Sequence, residues 1–271
     1  MNRALVHRHC GAALLTFSLS WAWMAGVAAQ GMMQHVDLAS PRMSQAELTR
    51  DEVENILAKA EGKPADLKDR SLNGLDLSGL DLSGADLRWA RLNGAKLAGT
   101  RLDGARLDLA WAIEADMRSA SLKGASLFQA QLVRAKLDGA DLSRARIAAN
   151  FEGASLKGAR LEGADGAPDM RNQSMGLMRA TFRSGRLQGA DLRGVRLARA
   201  DLEFASLQDA VLEGADLARA LLGGANLAGA RLAGCDLTGA DLAAADLRGV
   251  VGAESIVGLD QALNLDRAWR D

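Results

Sequence analysis

Between residues 65 and 249 the apolar positions of this chain recur on a five-residue beat. Leu stands at the centre of each unit and Ala two places before it, through Leu77, Leu82, Leu87, Leu92 and Leu97 and onward to Ile147. Ala149-Asn150-Phe151 restarts the beat one residue early, and Phe151, Leu156 and Leu161 carry it on. After an interruption it resumes at Phe182 and continues to Leu247. A period of five matches neither the 3.6 of a helix nor the 2 of a strand. A helix with this pattern would also carry Gly about every five residues, each costing about 1 kcal/mol relative to Ala. The backbone must therefore turn once per unit and bury the same two positions each time. Four such sides close a square coil, so residues twenty apart stack, with neighbouring coils about 4.8 Å apart. The expected fold is an all-β solenoid of about eight coils, near 40 Å long.

The units themselves carry a resemblance. Ala85-Asp86-Leu87, Ala140-Asp141-Leu142, Ala190-Asp191-Leu192 and Ala240-Asp241-Leu242 resemble the pentapeptide-repeat family. That resemblance covers about residues 65–249 and implies a right-handed quadrilateral β-helix with Leu and Ala inward. Leu87, Leu142, Leu192 and Leu242 are then core residues, and Cys235, standing where Ala is usual, is an inert core thiol.

An open β-helix exposes unpaired backbone at its ends, so caps are expected. Thr49 and Glu52 have capping-box spacing. Val53, Ile56, Leu57 and Ala60 form one apolar stripe, and Gly62 and Pro64 stop the helix. Residues 44–62 read as an N-terminal capping helix after a linker at 30–43. Residues 250–271 read as a C-terminal cap, with a second candidate helix at 260–269 making apolar contacts through Leu259, Leu263 and Trp269. Residues 1–29 read as a secretory signal. Arg3 and Arg8 give its positive start, Ala12 to Ala28 its apolar run, and Val27-Ala28-Ala29 its cleavage site. Cleavage after Ala29 leaves an exported, periplasmic chain with no stable membrane span. The repeat then runs 65–165 and 180–249.

Charge narrows the function. The 33 basic and 34 acidic residues leave a net charge of −1, so no global field draws nucleic acid. Stacking by twenties places Asp76, Lys96, Asp116 and Lys136 in one outward column. Asp81, Arg101, Ser121, Asp141 and Arg160 make a second, and Asp86, Arg106, Ser126, Arg146 and Asp165 a third. Alternating signs avoid the repulsion of stacked like charges. Acidic members of the family that mimic duplex DNA and bind type II topoisomerases need a continuous negative stripe. Here only Asp236, Asp241 and Asp246 form a local acidic run, so that role is the runner-up.

The best binding candidates are apolar residues where polar ones are usual. Trp89 and Leu109 fall on one outward corner one coil apart, Trp111 and Val133 lie just around it, and Phe128 is a coil beyond Leu109. An apolar cluster on a polar rod marks a contact surface. The interruption at 166–179 leaves from the same side and carries Met170, Met175 and Met178. Either this loop folds over the aromatics, or the patch receives a protein partner or a second copy of the chain. Thioethers are also soft Cu(I) ligands, a third reading, although Met more often fills apolar surface.

Catalysis finds no support in the residues. Carboxylates sit evenly on outward positions, and Ser121, Ser126 and Ser206 have only His35 as a distant imidazole. Each Gly follows the repeat rather than a phosphate loop. No cofactor or resident metal is expected, and the sequence reads as a non-catalytic binding or scaffolding solenoid.

Overall fold

The computed structural model describes residues 37–168 and 178–271. The leader, its cleavage point, His35, Met170 and Met175 lie outside those residues. The chain divides into two compact units, Met1–Ala39 and Ser40–Asp271. In the first, the Ala39 N–H donates to the Asp37 carboxylate at 3.0 Å. The second contains the repeat.

The five-residue unit folds the same way throughout, and 136–140 illustrates it. Lys136 sits on a flat side, Leu137 points inward, Asp138 and Gly139 make the corner, and Ala140 points inward again. The Leu137 N–H donates to Ser155 O at 2.6 Å and the Gly139 N–H to Lys157 O at 2.9 Å in the next coil, while Lys136 N–H reaches back to Ala115 O at 2.9 Å. The Ala140 N–H closes the turn on Leu137 O at 3.0 Å. Gly139 has φ +68°, a left-handed conformation that explains the Gly at this position of so many units.

Parallel bridges join residues one coil apart on four sides. Face 1 begins with Asp66 and Asp86, face 2 with Ser71 and Arg91, face 3 with Asp76 and Lys96, face 4 with Asp81 and Arg101. All three charge columns read from the sequence are therefore real columns. Leu87, Leu142, Leu192, Leu242 and Cys235 are fully buried. The rod is longer than eight coils: faces 1 to 3 have ten rungs and face 4 has nine among the described residues, about 43 Å at ~4.8 Å per coil. The added length lies beyond Leu247, in the rungs of Val251, Val257, Leu263 and Trp269.

The C-terminal segment is not an α-helix. It winds one more partial coil with six-residue sides, pairing Val251, Val257, Leu263 and Trp269 with Arg231, Asp236, Asp241 and Asp246. Each side holds one 3-10 turn (Ala253–Ser255, Leu259–Gln261, Leu265–Arg267) entered through a left-handed Gly252, Gly258 or Asn264. Leu259, Ile256, Ala262 and Leu265 pack on the core. Leu263 and Trp269, expected as capping contacts, point outward at 56% and 60% exposure. The same winding places Asp236, Asp241 and Asp246 on faces 1, 2 and 3, so they form no acidic stripe.

At the other end, α1 (Pro41–Ser44) is a single turn and α2 runs Arg50–Lys59, inside the span 44–62. The Thr49 hydroxyl accepts from the Glu52 N–H, and the Glu52 carboxylate accepts from the Thr49 N–H at 2.7 Å. Val53 is fully buried and joins the core cluster, with Leu48, Ile56, Leu57, Leu75 and Leu80 around it. No helix of the described residues is long and apolar enough to cross a membrane.

Candidate functional site

The outward Asp of each unit first makes a turn. Asp81, Asp141, Asp236 and Asp241 each accept the N–H two residues on, at 2.8 to 3.1 Å. This Asx geometry holds the chain as it enters the corner. Many of these carboxylates are also ion-paired. Some pair along a column, as Asp76 with Lys96 at 3.7 Å, Asp165 with Arg196 at 2.9 Å, and Asp81 with Arg101. Others pair with an Arg two residues on, as Asp116 with Arg118 at 2.6 Å and Asp246 with Arg248 at 2.7 Å. The Arg101 guanidinium holds the Asp81 carboxyl far below the usual carboxylate range. Burial raises the pKa of Asp141, but the Ser143 hydroxyl and N–H and the Arg160 guanidinium outweigh it and hold it at about 2. The outward acids are thus committed to the rod itself.

Against this regular surface Phe204, 61% exposed at φ +59°, is a bulky departure on the 2–3 corner, and the corner between faces 1 and 2 departs furthest from the pattern. Trp89 and Leu109 stand there one coil apart at left-handed φ of +57° and +62°, where Gly is the easy choice. Phe128 belongs to the same corner a coil further. The side shortens next, from Arg146 directly to Asn150, and in the following coil the chain leaves face 1 at Asp165 and returns to face 2 only at Thr181. The loop is stitched at its base by the Ala180 N–H to Gly166 O at 3.0 Å. Gly166 fills an inward site where Leu is usual, because a Cβ would lie 2.7 Å from Ala180 Cβ and 2.8 Å from Leu197 Cδ2. Met178, at the end of the loop, is half-buried.

The five apolar residues are placed unequally. Trp89 is 41% exposed, whereas Leu109, Trp111 and Phe128 are half-buried and Val133 is buried at 8%. Trp111 lies on face 2, bridged to Arg91 and Gln131. The aromatic faces are covered by cations, a feature the sequence did not reveal. Lys68 Nζ sits 4.9 Å from the Trp89 ring centroid and Arg88 5.7 Å, and Arg146 lies 3.9 Å over Phe128. Such contacts contribute about 0.5–1 kcal/mol each at exposed sites.

Two further features of the site escaped sequence reasoning. Residues 41–47, read as the end of the linker and the start of the capping helix, lie along face 2 of the first coils. Asn73 Nδ2 donates to Arg42 O at 3.2 Å, Asn93 Nδ2 to Met43 O at 3.1 Å, and the Ser71 hydroxyl to Gln45 O. Arg91, only 6% exposed, grips Asp69 through Oδ1 and the backbone O at 2.6 Å each. Second, the corner continues above the loop as Arg179, Arg199 and Arg219, each two residues before a face 2 rung. Counting by twenties across the interruption would have found them.

The hydroxyls of Ser121, Ser126 and Ser155 donate to Asp103, Asp108 and Asp138 of the coil below. Burial pushes the Cys235 thiol up to about 12. Among the described residues no three His, Cys, Asp or Glu side chains converge as a metal site.

Comparison with known proteins is now direct. The sequence profile of pentapeptide repeats matches in eight copies over residues 71–108, 110–144, 147–167, 177–214 and 215–251. No curated protein matches the chain. HetL, a pentapeptide repeat protein involved in heterocyst differentiation regulation in Nostoc sp. strain PCC 7120, is 31% identical, over 80% of this chain and 94% of its own, with a TM-score of 0.34. QnrB1, a plasmid-mediated fluoroquinolone resistance protein, is 16% identical over 73% of this chain and 90% of its own, TM-score 0.37. A pentapeptide repeat protein of the Arabidopsis thaliana thylakoid lumen is 22% identical over 70% and 88%, TM-score 0.17. The assignment rests on the repeat match, and it implies a right-handed β-helix. The chain belongs to the pentapeptide-repeat family.

Proposed function

We propose that this chain is an exported, non-catalytic solenoid of the cell envelope that binds a protein partner along its 1–2 corner. The observation that carries the reading is the convergence of departures on that edge. A shortened side and an inserted loop fall on this corner alone among the described residues, and they meet there with bulky residues at left-handed positions, whereas the 2–3 corner carries Glu114, Arg134 and the 61% exposed Phe204 at left-handed positions with its five-residue spacing intact. A rod that gains nothing from Trp89 and Leu109 at φ above +50° would use Gly there, as it does at most equivalent positions. Loops and corners of rigid repeats are where such folds place recognition.

Export rests on the leader at residues 1–29, and α2 serves in this reading as the cap that closes the first coil. Catalysis is disfavoured because the Ser hydroxyls have carboxylate acceptors and no imidazole, and because Cys235 is buried and held protonated. The committed outward acids and the absence of a stripe disfavour DNA mimicry. For metal binding by the Met loop, only Met178 offers a described thioether, and it is half-buried.

The test joins location to binding. A reporter fused after residue 40 is expected in the periplasm, and Trp89→Ala with Leu109→Ala is expected to abolish co-purification of a partner with little change in melting. A cytosolic reporter, or partner capture indifferent to these changes, contradicts the proposal.

A further inference from the structure

Ion pairs lace much of this rod, and one corner gathers three arginines outside them. Arg179, Arg199 and Arg219 each stand two residues before a rung of face 2, at Thr181, Asp201 and Leu221; Arg199 and Arg219 stack one coil apart on the 1–2 corner, and Arg179 precedes them where the loop rejoins face 2. The Arg199 N–H donates to Ala218 O and the Arg219 N–H to Thr238 O in the same register. Both residues are left-handed, at φ +62° and +59°. Like charges stacked at this spacing repel, and a non-Gly residue there adds strain.

Among the described residues none of the three has an ion pair within 4.0 Å, and most of the acids nearby have other partners. Arg183 bonds both Asp201, at 3.1 Å, and Glu203. Asp165 pairs with Arg196 at 2.9 Å, and Asp216 accepts the Ala218 N–H at 3.1 Å. Arg179 senses the charge of Asp201, but that carboxylate is buried and already bonded to Arg183. A packing role exists for one of them, since the Arg219 stem lies against Gly239, whose added Cβ would meet Arg219 Cγ at 3.4 Å. Arg199 has no glycine above it, only Arg219.

We infer that Arg179, Arg199 and Arg219 form a carboxylate-reading ladder for an acidic, extended segment of the partner protein. This deepens the protein-binding reading of the same corner and rests on it. Two coil steps span about 9.6 Å, close to three residues of extended chain at ~3.3 Å each. A short run of Asp and Glu can therefore meet all three guanidinium groups, each able to hold a carboxylate in a forked pair. A convex edge with three cations in a chain of net charge −1 is a poor match for nucleic acid, whose binders neutralise many phosphates over a broad field.

Fluorescein-labelled hexaglutamate, titrated into the full-length protein and followed by anisotropy at 20 mM and 150 mM salt, tests the ladder. The variants are Arg199→Gly with Arg219→Gly and, separately, Arg199→Gln with Arg219→Gln. Hexaglutamate is expected to bind the wild type and to weaken at least tenfold in both variants. The Gly variant should melt at the same temperature or about 2 °C higher, since Gly relieves the left-handed strain. Affinity within twofold of wild type in both variants overturns the inference, as does a lower melting temperature in both with unchanged binding. A labelled single-stranded DNA 20-mer binding more than tenfold tighter than hexaglutamate, through the same arginines, also overturns it. A partner that still crosslinks at Leu109 without any hexaglutamate binding sinks the ladder alone. Arginine-dependent hexaglutamate binding with no protein captured anywhere on the corner sinks the protein-binding reading and leaves the ladder standing.

Discussion

Phe151 and Phe182 stack inside the core with ring centroids 4.8 Å apart and planes within 5° of parallel. They are consecutive inward residues of face 2, although the loop separates them in sequence. Both are fully buried, and they replace the usual Leu in the two coils where the 1–2 corner is altered. In the second of these coils Gly166 stands at the neighbouring inward site of face 1, where Ala180, Leu197 and Ile147 close in and leave no room for a Cβ. The lumen is close-packed across the insertion.

That packing predicts losses from change in either direction. Phe182→Ala is expected to destabilise the rod by about 3–5 kcal/mol, as for other buried aromatics, and Phe182→Leu by less. Gly166→Ala should cost about 1–3 kcal/mol through overpacking against Ala180 and Leu197. Urea denaturation measures each as a lower midpoint at unchanged slope.

Asx turns rather than charge explain the Asp of each unit, and Asp216 separates the two. It accepts the Ala218 N–H at 3.1 Å and has no ion pair, while Asp236 stacks directly above it. Asp216→Asn keeps the acceptor and removes a like-charge contact, so stability should hold or rise slightly. Asp216→Ala should lose about 1 kcal/mol. Thermal melting of the two variants beside wild type decides between turn and charge.

The pH response should divide in two. Asp141, held at about 2, lies below its unfolded value near 3.9. Its contribution is present above the unfolded pKa and is lost as pH falls toward about 2. Asp201 behaves oppositely, because burial raises its pKa against the pull of Arg183 and Arg179. It destabilises the rod above its folded pKa, and that penalty fades as pH falls through the raised value. Asp201→Asn is therefore expected to melt at or above wild type at pH 7, with the gap closing in acid. A gap that widens on acidification contradicts this assignment.

Capping by α2 predicts a local effect. Thr49→Ala removes the capping box and should weaken the helix by about 1 kcal/mol, while Val53→Asp places a charge at a fully buried site. Hydrogen exchange should speed up first in residues 66–85 for both, and in residues 196–250 for neither.

Much of this molecule was legible because one rule generates it. Leu at every fifth position fixes the inward side, and twenty residues per lap then fix each vertical neighbour, so Asp76 under Lys96 follows from arithmetic. The rule fails where the unit length changes. After Leu247 the apolar residues Val251, Val257, Leu263 and Trp269 recur every six, with Gly252, Gly258 and Asn264 beside them, and this resembles a helix stripe unless the new period is noticed. Side-chain partners were less legible still. Nothing in the letters says that Asn73 and Asn93 hold residues 42–45, or that Lys68 and Arg146 lie over Trp89 and Phe128, because these contacts depend on rotamers rather than on period. The arginines of the 1–2 corner are hidden for a simpler reason: the loop breaks the count by twenties just before them.

The account depends on the 1–2 corner being the face that meets a partner. A photo-crosslinking residue placed at Leu109, in protein expressed with its leader, should trap one protein species, and the same residue placed at Lys136 on face 3 should trap none. Equal trapping at both positions, or trapping at Lys136 alone, would contradict it.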